Sequence, residues 1–165
     1  MKTLQLIILS LFISFSYFSQ DFAVPKNYKL KVEADFEKYE QDAIACADWI
    51  MNTPLNEQKN KRAKAYKFLI SYVSSSPKIK ATLNSKACPY LNNTDLLVVF
   101  LASRTKRCLT QNYVNNVEEF TVRGTNDVVK FYNKNKKHVG KAKKIKKFAK
   151  LYKKGTLDAY VKSKL

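Results

Sequence analysis

This chain of 165 residues is poor in the residue types on which catalysis and cofactor binding are most often built. It has three glycines, one histidine, three cysteines and 13 acids against 31 lysines and arginines. Gly124, Gly140 and Gly155 stand far apart, so no glycine-rich loop can cradle a phosphate. His138 is the only imidazole and lies between Lys137 and Val139 in a polar stretch, where it reads as a solvated side chain. No Cys–His pair or Ser–His–Asp triad can be built around it. Cys46, Cys88 and Cys108 have no partner at the two-to-four-residue spacing of structural zinc sites. No apolar run after residue 20 approaches the roughly 20 residues that span a bilayer. No repeat of fixed period emerges, and no cofactor is expected.

What is present begins with residues 1–20. Lys2 precedes an apolar run from Leu4 to Phe18, broken only by Gln5 and by Ser10, Ser14 and Ser16. This is the layout of a secretory signal peptide, with cleavage options after Ser14-Phe-Ser16 or near Phe18-Ser-Gln20. The competing reading, an uncleaved anchor, has too short a run. Residues 21–165 then form a single helical domain with a lysine-rich C-terminal third, exported to the periplasm or the exterior. In such an oxidising compartment the three cysteines can be three thiols, or one disulfide and one thiol. Cys46 and Cys108 fall on apolar faces, whereas Cys88 lies in the loop 86–90 and is the one expected to pair or react.

The expected fold is all-α: a compact bundle of five or six helices around a central apolar helix, with an optional short two-stranded ribbon. The central helix is read over residues 93–112, with Thr94 as N-cap and Asp95 in the first turn. Six apolar residues follow, from Leu96 to Leu101, and later Arg104, Lys106 and Arg107 fall on the outer side. Before it, Phe36, Tyr39, Ala43, Cys46, Ala47 and Ile50 share one helical arc that ends before Pro54. A second helix, capped near Thr53 or Asn56, runs to about Ser74 with Ala63, Tyr66, Leu69, Ile70 and Val73 inward and Arg62 outside or at the margin. Residues 28–32 and 79–83 alternate apolar and polar and supply the ribbon. Beyond the central helix, Val117, Phe120, Gly124, Val128 and Phe131 share a face that Gly124 either interrupts or leaves continuous. A polar connector over 133–140 leads to an amphipathic segment, 141–154, with Gly155 as stop and Thr156 opening a last short helix.

Asp48-Trp-Ile-Met-Asn-Thr-Pro-Leu55, Lys61-Arg62, Phe68-Leu69 and Ser75-Ser-Pro77 together resemble a pattern in small exported bacterial proteins of unassigned function. The likeness covers residues 48–77. It implies a compact, mostly helical secreted domain and transfers no catalytic residue.

Charge is the feature that bears on function. From Lys130 to the end, 14 lysines face one acid, Asp158, so most of the formal +18 is local. Within the amphipathic segment Ala142, Ile145, Phe148, Ala149, Leu151 and Tyr152 occupy one half. Lys143, Lys146, Lys147, Lys150, Lys153 and Lys154 occupy the other. That cationic face is the one candidate binding surface; the competing reading is a solvated face within a chain that uses 27 lysines to four arginines. An anionic polymer, an anionic lipid surface or a protein partner would suit it. No specific nucleic-acid readout is expected, since base recognition favours the arginine fork. Glu40, Asp42, Asp48, Glu118 and Glu119 fit helix first turns or exposed positions, and Trp49 a core edge. The function read from these features is a secreted or periplasmic, non-enzymatic protein that acts by binding. The alternatives are a small hydrolase of cell-envelope polymers with unassigned carboxylates and a cationic membrane-surface binding protein. That last reading requires 141–154 to leave the core.

Overall fold

A helix that is apolar on nearly every side must be covered on nearly every side, and its neighbours arrange themselves accordingly. The computed structural model describes residues 22–80, 83–140 and 142–165. Seven helices form among them: α1 (Glu33–Lys38), α2 (Glu40–Asn52), α3 (Lys59–Ser75), α4 (Thr94–Thr110), α5 (Val117–Asn135), α6 (Ile145–Lys153) and α7 (Leu157–Lys162). The architecture is an all-α bundle. The proposed signal peptide, 1–20, lies outside the described residues.

α4 is the predicted central helix, and it packs most extensively on α2 and α5. Leu96 and the run from Val98 to Thr105 are buried. Its N-cap is Asn93 rather than Thr94: the Asn93 Oδ1 accepts the Leu96 N–H at 3.1 Å, closing one of the helix's open donors. Arg104, expected on the outer side, is only 1% exposed. Its Nε donates to the Lys80 carbonyl at 2.7 Å and its guanidinium lies 5.7 Å from the centre of the Phe120 ring. The outer flank of α4 is therefore covered by the 78–80 segment and α5, which the wheel of α4 alone does not register.

The first predicted helix is two. It divides at Tyr39 (φ −101°, ψ 12°), which raises the helix count from the expected five or six to seven. Phe36, Ala43, Cys46, Ala47 and Ile50 are buried as their arc requires, and Trp49 joins them in the core. The second predicted helix begins later, at Lys59, and its buried face is turned. Arg62, Ala65, Phe68, Leu69, Tyr72 and Val73 point inward, while Ala63 is exposed and Ile70 is 39% exposed. The physical reason is aromatic area. Phe68 meets Tyr28 edge-on at 5.0 Å and Tyr72 meets Phe36 at 5.5 Å, with the Tyr72 hydroxyl donating to the Phe36 carbonyl at 2.9 Å. Burying two aromatic rings removes more apolar surface from water than burying Ala63 and Ile70 would.

No strand forms among the described residues, and Ala81 and Thr82 of the optional ribbon's second arm lie outside them. Residues 78–80 satisfy their backbone with side chains instead. The Asn115 Nδ2 donates to the Lys78 carbonyl at 3.0 Å, and the Lys80 N–H donates to the Asn115 Oδ1 at 3.3 Å. A segment bonded this way has no need of a ladder partner.

α5 runs unbroken through Gly124. A Cβ at that position would stand 2.8 Å from Cδ2 and Cε2 of Phe100, so the glycine is what lets α5 lie against α4. The connector expected from 133 onward is helical to Asn135, a buried residue with a tethering role. Its Nδ2 donates to the Phe131 carbonyl at 2.9 Å, and its Oδ1 accepts the Leu55 N–H at 2.8 Å. The 53–58 turn is thereby fixed to the end of α5. At the far end, Gly155 (φ +70°) terminates α6 as expected. The Thr156 N–H bonds the Leu151 carbonyl and the Gly155 N–H the Tyr152 carbonyl, both at 3.0 Å, a Schellman closure. Thr156 precedes α7 but makes no side-chain cap; its hydroxyl donates to the Leu151 carbonyl.

Candidate functional site

The cationic surface is built on α6. Ile145 and Phe148, three residues apart, point into the core at 1% and 3% exposure. α6 packs on α5 and α7, and Phe148 meets Tyr160 of α7 edge-on at 5.5 Å. α6 begins at Ile145, later than the expected 141, so helical spacing turns Lys146, Lys147, Lys150 and Lys153 outward while Lys143, in the turn before it, and Lys154, its C-cap, flank them; all six are exposed. Ala149, Leu151 and Tyr152 are half-buried along the margin.

None of the six lysines pairs with an acid among the described residues. Nearby acids are engaged elsewhere: Asp158 accepts from Asn126 Nδ2 at 2.7 Å, and Glu118 pairs with Lys162 at 2.9 Å. Lys147 donates to the Tyr160 hydroxyl at 2.9 Å and stands 4.5 Å from the centre of that ring, with Lys164 at 5.4 Å. The Lys147 hydrogen bond holds the Tyr160 hydroxyl below the ordinary phenol range. The result is an unneutralised row of ammonium groups on a helix held in one orientation, with an aromatic ring at its edge.

The acids are placed differently. Asp48 and Asp127 face one groove of about 370 Å³ between α2, α4 and α5. Asp48 pairs with Lys106 at 2.6 Å. Asp127 accepts from Arg107 at 2.7 Å and from the Ser103 hydroxyl at 2.8 Å, with Lys130 at 3.5 Å. Each carboxylate is thus tied to cations on a neighbouring element, the arrangement of ion pairs that fix helices together. A glycosidic acid needs a carboxyl set among apolar groups that keep its proton on. Glu40 accepts from the Tyr113 hydroxyl, and Glu40 and Asp42 lie in the first turn of α2 as Glu118 and Glu119 do in α5.

The cysteines correct one expectation. All three are free thiols and all are buried, Cys88 included. The loop that carries Cys88 is folded inward: the Tyr90 hydroxyl shares a 2.9 Å hydrogen bond with Thr125, and its ring packs 5.9 Å from Phe100. Cys46 donates to the Ala65 carbonyl at 3.4 Å. Burial pushes all three thiols up, the opposite of what a reactive thiolate requires. Among the described residues no group of three or more His, Cys, Asp or Glu side chains is placed to hold a metal ion, and no helix is long and apolar enough to cross a membrane.

Arg62 was missed by the sequence reading. Assigned to the margin of its helix, it is 5% exposed and its Nη2 donates to the Thr53 and Pro54 carbonyls at 2.9 and 2.8 Å. The guanidinium lies 5.1 Å from the Trp49 ring centre and 5.9 Å from that of Tyr66. It lines a cavity of about 650 Å³ with Lys59, Tyr66, Asp95, Lys137 and His138. The Tyr66 hydroxyl donates to Asp95 at 3.0 Å. Burial, and then the Asp95 charge, push Tyr66 up to about 12 while Arg62 pulls the other way. Two aromatic residues at i−13 and i+4 of an arginine carry no signal in the sequence that their rings lie beside it. No family model, no curated protein and no solved structure matches this chain.

Proposed function

We propose that this is an exported, non-catalytic binding protein whose working surface is the lysine face of α6 and whose ligand is an anionic polymer. The observation that carries this reading is the row formed by Lys143, Lys146, Lys147, Lys150, Lys153 and Lys154, all exposed and none neutralised by an acid among the described residues. Placement outside the cytoplasm rests on the signal-like residues 1–20 and on the resemblance over 48–77.

A polymer suits the surface better than insertion into a bilayer. An interfacial helix must lend its apolar face to the lipid, and here Phe148 and Ile145 are spent on the core. Anionic headgroups can still attract the face from outside. Lysine ammonium groups on a helix also favour polyanion backbones over base edges, because they act as point charges without the arginine fork. The hydrolase alternative has less to support it, since the two acids that share a groove are both held by cations.

Retention of the protein on immobilised heparin at graded salt tests this. Replacing Lys143, Lys146, Lys147 and Lys150 with Gln should lower the eluting salt concentration and cut the slope of log K against log salt by about 3, the release of counterions at four contacts. Elution unchanged by the four substitutions removes α6 as the working surface.

A further inference from the structure

We propose that the anion-binding face does not end at α6: Tyr160 of α7 draws Lys147 and Lys164 together and joins them in binding one anionic group of the polymer. This rests on the reading of α6 as the binding surface, and adds to it one residue of α7 and one just beyond it. Tyr160 is half-buried, and its ring stands edge-on to Phe148 at 5.5 Å. Phe148 is buried, as are Leu157 and Val161 of α7, so the ring has a fixed place beside α6. Lys147 Nζ donates to the Tyr160 hydroxyl at 2.9 Å and lies 4.5 Å from the ring centre, and Lys164 Nζ lies 5.4 Å from it. Lys164 is tied down as well. Its N–H donates to the Val161 carbonyl at 3.0 Å, and its carbonyl accepts from Asn84 Nδ2 at 3.1 Å. The acids at this end of the molecule, Glu118 and Asp158, are occupied by Lys162 and Asn126.

Two ammonium groups from different elements thus meet at one tyrosine with no carboxylate between them. They repel each other, the ring and the phenol oxygen offset part of that repulsion, and an anion that accepts from both offsets the rest. The tyrosine adds a donor of its own. An ammonium group has no lone pair, so in the bond from Lys147 the phenol oxygen is the acceptor and keeps its proton to give. Lys147, Lys164 and the Tyr160 hydroxyl therefore present three donors in one place. Among the described residues, Lys147 is also the one lysine of the six whose side chain is held by another. It has already given up rotamer freedom that the other five lose only when they meet a ligand. Preorganisation of this kind makes the junction of α6 and α7, rather than the middle of α6, the point of tightest contact.

The full chain and its variants are titrated onto fluorescein-labelled heparin, followed by anisotropy over a range of salt. Tyr160→Phe keeps every charge and keeps the ring against Phe148. It should weaken binding about three- to tenfold with the slope of log K against log salt unchanged. Lys164→Gln should lower that slope by about 1, the release of counterions at one contact. Combined with Lys147→Met, the loss from Tyr160→Phe should be largely absorbed, whereas with Lys150→Met the two losses should add. A tyrosine that only supports α7 adds to both. Additive losses in both pairs therefore overturn the proposal. So does unchanged binding in Tyr160→Phe or in Lys164→Gln while the variant Lys143→Gln/Lys146→Gln/Lys147→Gln/Lys150→Gln still binds less tightly. If that four-lysine variant binds as the unaltered chain does, the α6 reading itself fails, and the two failures are told apart.

Discussion

Single residues in this protein matter chiefly for how closely they let elements approach. Gly124 is the clearest case. In an isolated helix, alanine would be favoured there by roughly 1 kcal/mol, and on propensity alone Gly124→Ala should stabilise. The Phe100 ring decides otherwise, since two of its carbons would lie 2.8 Å from the new methyl. Overpacking of this kind costs about 1–3 kcal/mol, so Gly124→Ala should lower the urea midpoint, and Phe100→Leu in the same background should recover part of the loss. A midpoint that rises in the single variant would show that α4 and α5 are free to separate. Arg62 and Arg104 teach the complementary lesson. Both are arginines in helices, both are placed near solvent by helical spacing, and both are buried because carbonyls of a neighbouring turn, Thr53 and Pro54 or Lys80, accept from them.

At the level of elements, apolar periodicity is a sound guide to where helices are and a weaker one to which way they face. The stripes of α2, α4 and α6 lie inward as their sequences indicate. That of α3 does not, because Ala63, Tyr66 and Ile70 and the alternative set Ala65, Phe68 and Tyr72 each make an arc of similar width. Only the neighbouring aromatic rings choose between them. Helix stops were more legible than helix starts: α2 and α3 end where expected, at Asn52 and Ser75, whereas α3 begins later than its capping residues suggest. Gly155 is the terminator of α6, and its φ of +70° is one that an L side chain adopts at a cost of about 1–2 kcal/mol. Gly155→Ala should therefore lower stability by about that amount in urea unfolding. Gly140→Ala, at a position with open space around it, should not. Equal effects of the two would mean that the Schellman closure between α6 and α7 contributes nothing.

Across the whole molecule, charge and core are segregated. The apolar groups of α2, α3, α4 and α5 form most of the core, to which α6 and α7 add Ile145, Phe148, Leu157 and Val161, whereas residues from 130 onward carry 14 of the lysines. Like charges on one side repel each other through water, and salt screens that repulsion over about 10 Å at 0.1 M. The melting temperature should accordingly rise by a few degrees between low and physiological salt. The rise should be smaller when Lys143, Lys146, Lys147 and Lys150 are replaced by Gln. An equal salt response in both proteins would place the repulsion elsewhere. The same asymmetry leaves the α6 face open to a polyanion.

The sequence by itself determined the helical class, the central place of α4, the exposure of the six lysines in and beside α6 and the stop at Gly155, because each follows from spacing within one segment. The three cysteines and the one histidine also stand outside the close spacing of structural zinc sites. The tertiary structure alone decided the turned face of α3, the burial of Cys88, Arg62 and Arg104, the pairing of Asp48 and Asp127 with cations of other helices, and the cavity at the start of α3 and α4. Those depend on contacts between residues distant in the chain. Periodicity within a segment has no access to which carbonyl, ring or carboxylate a different segment brings alongside.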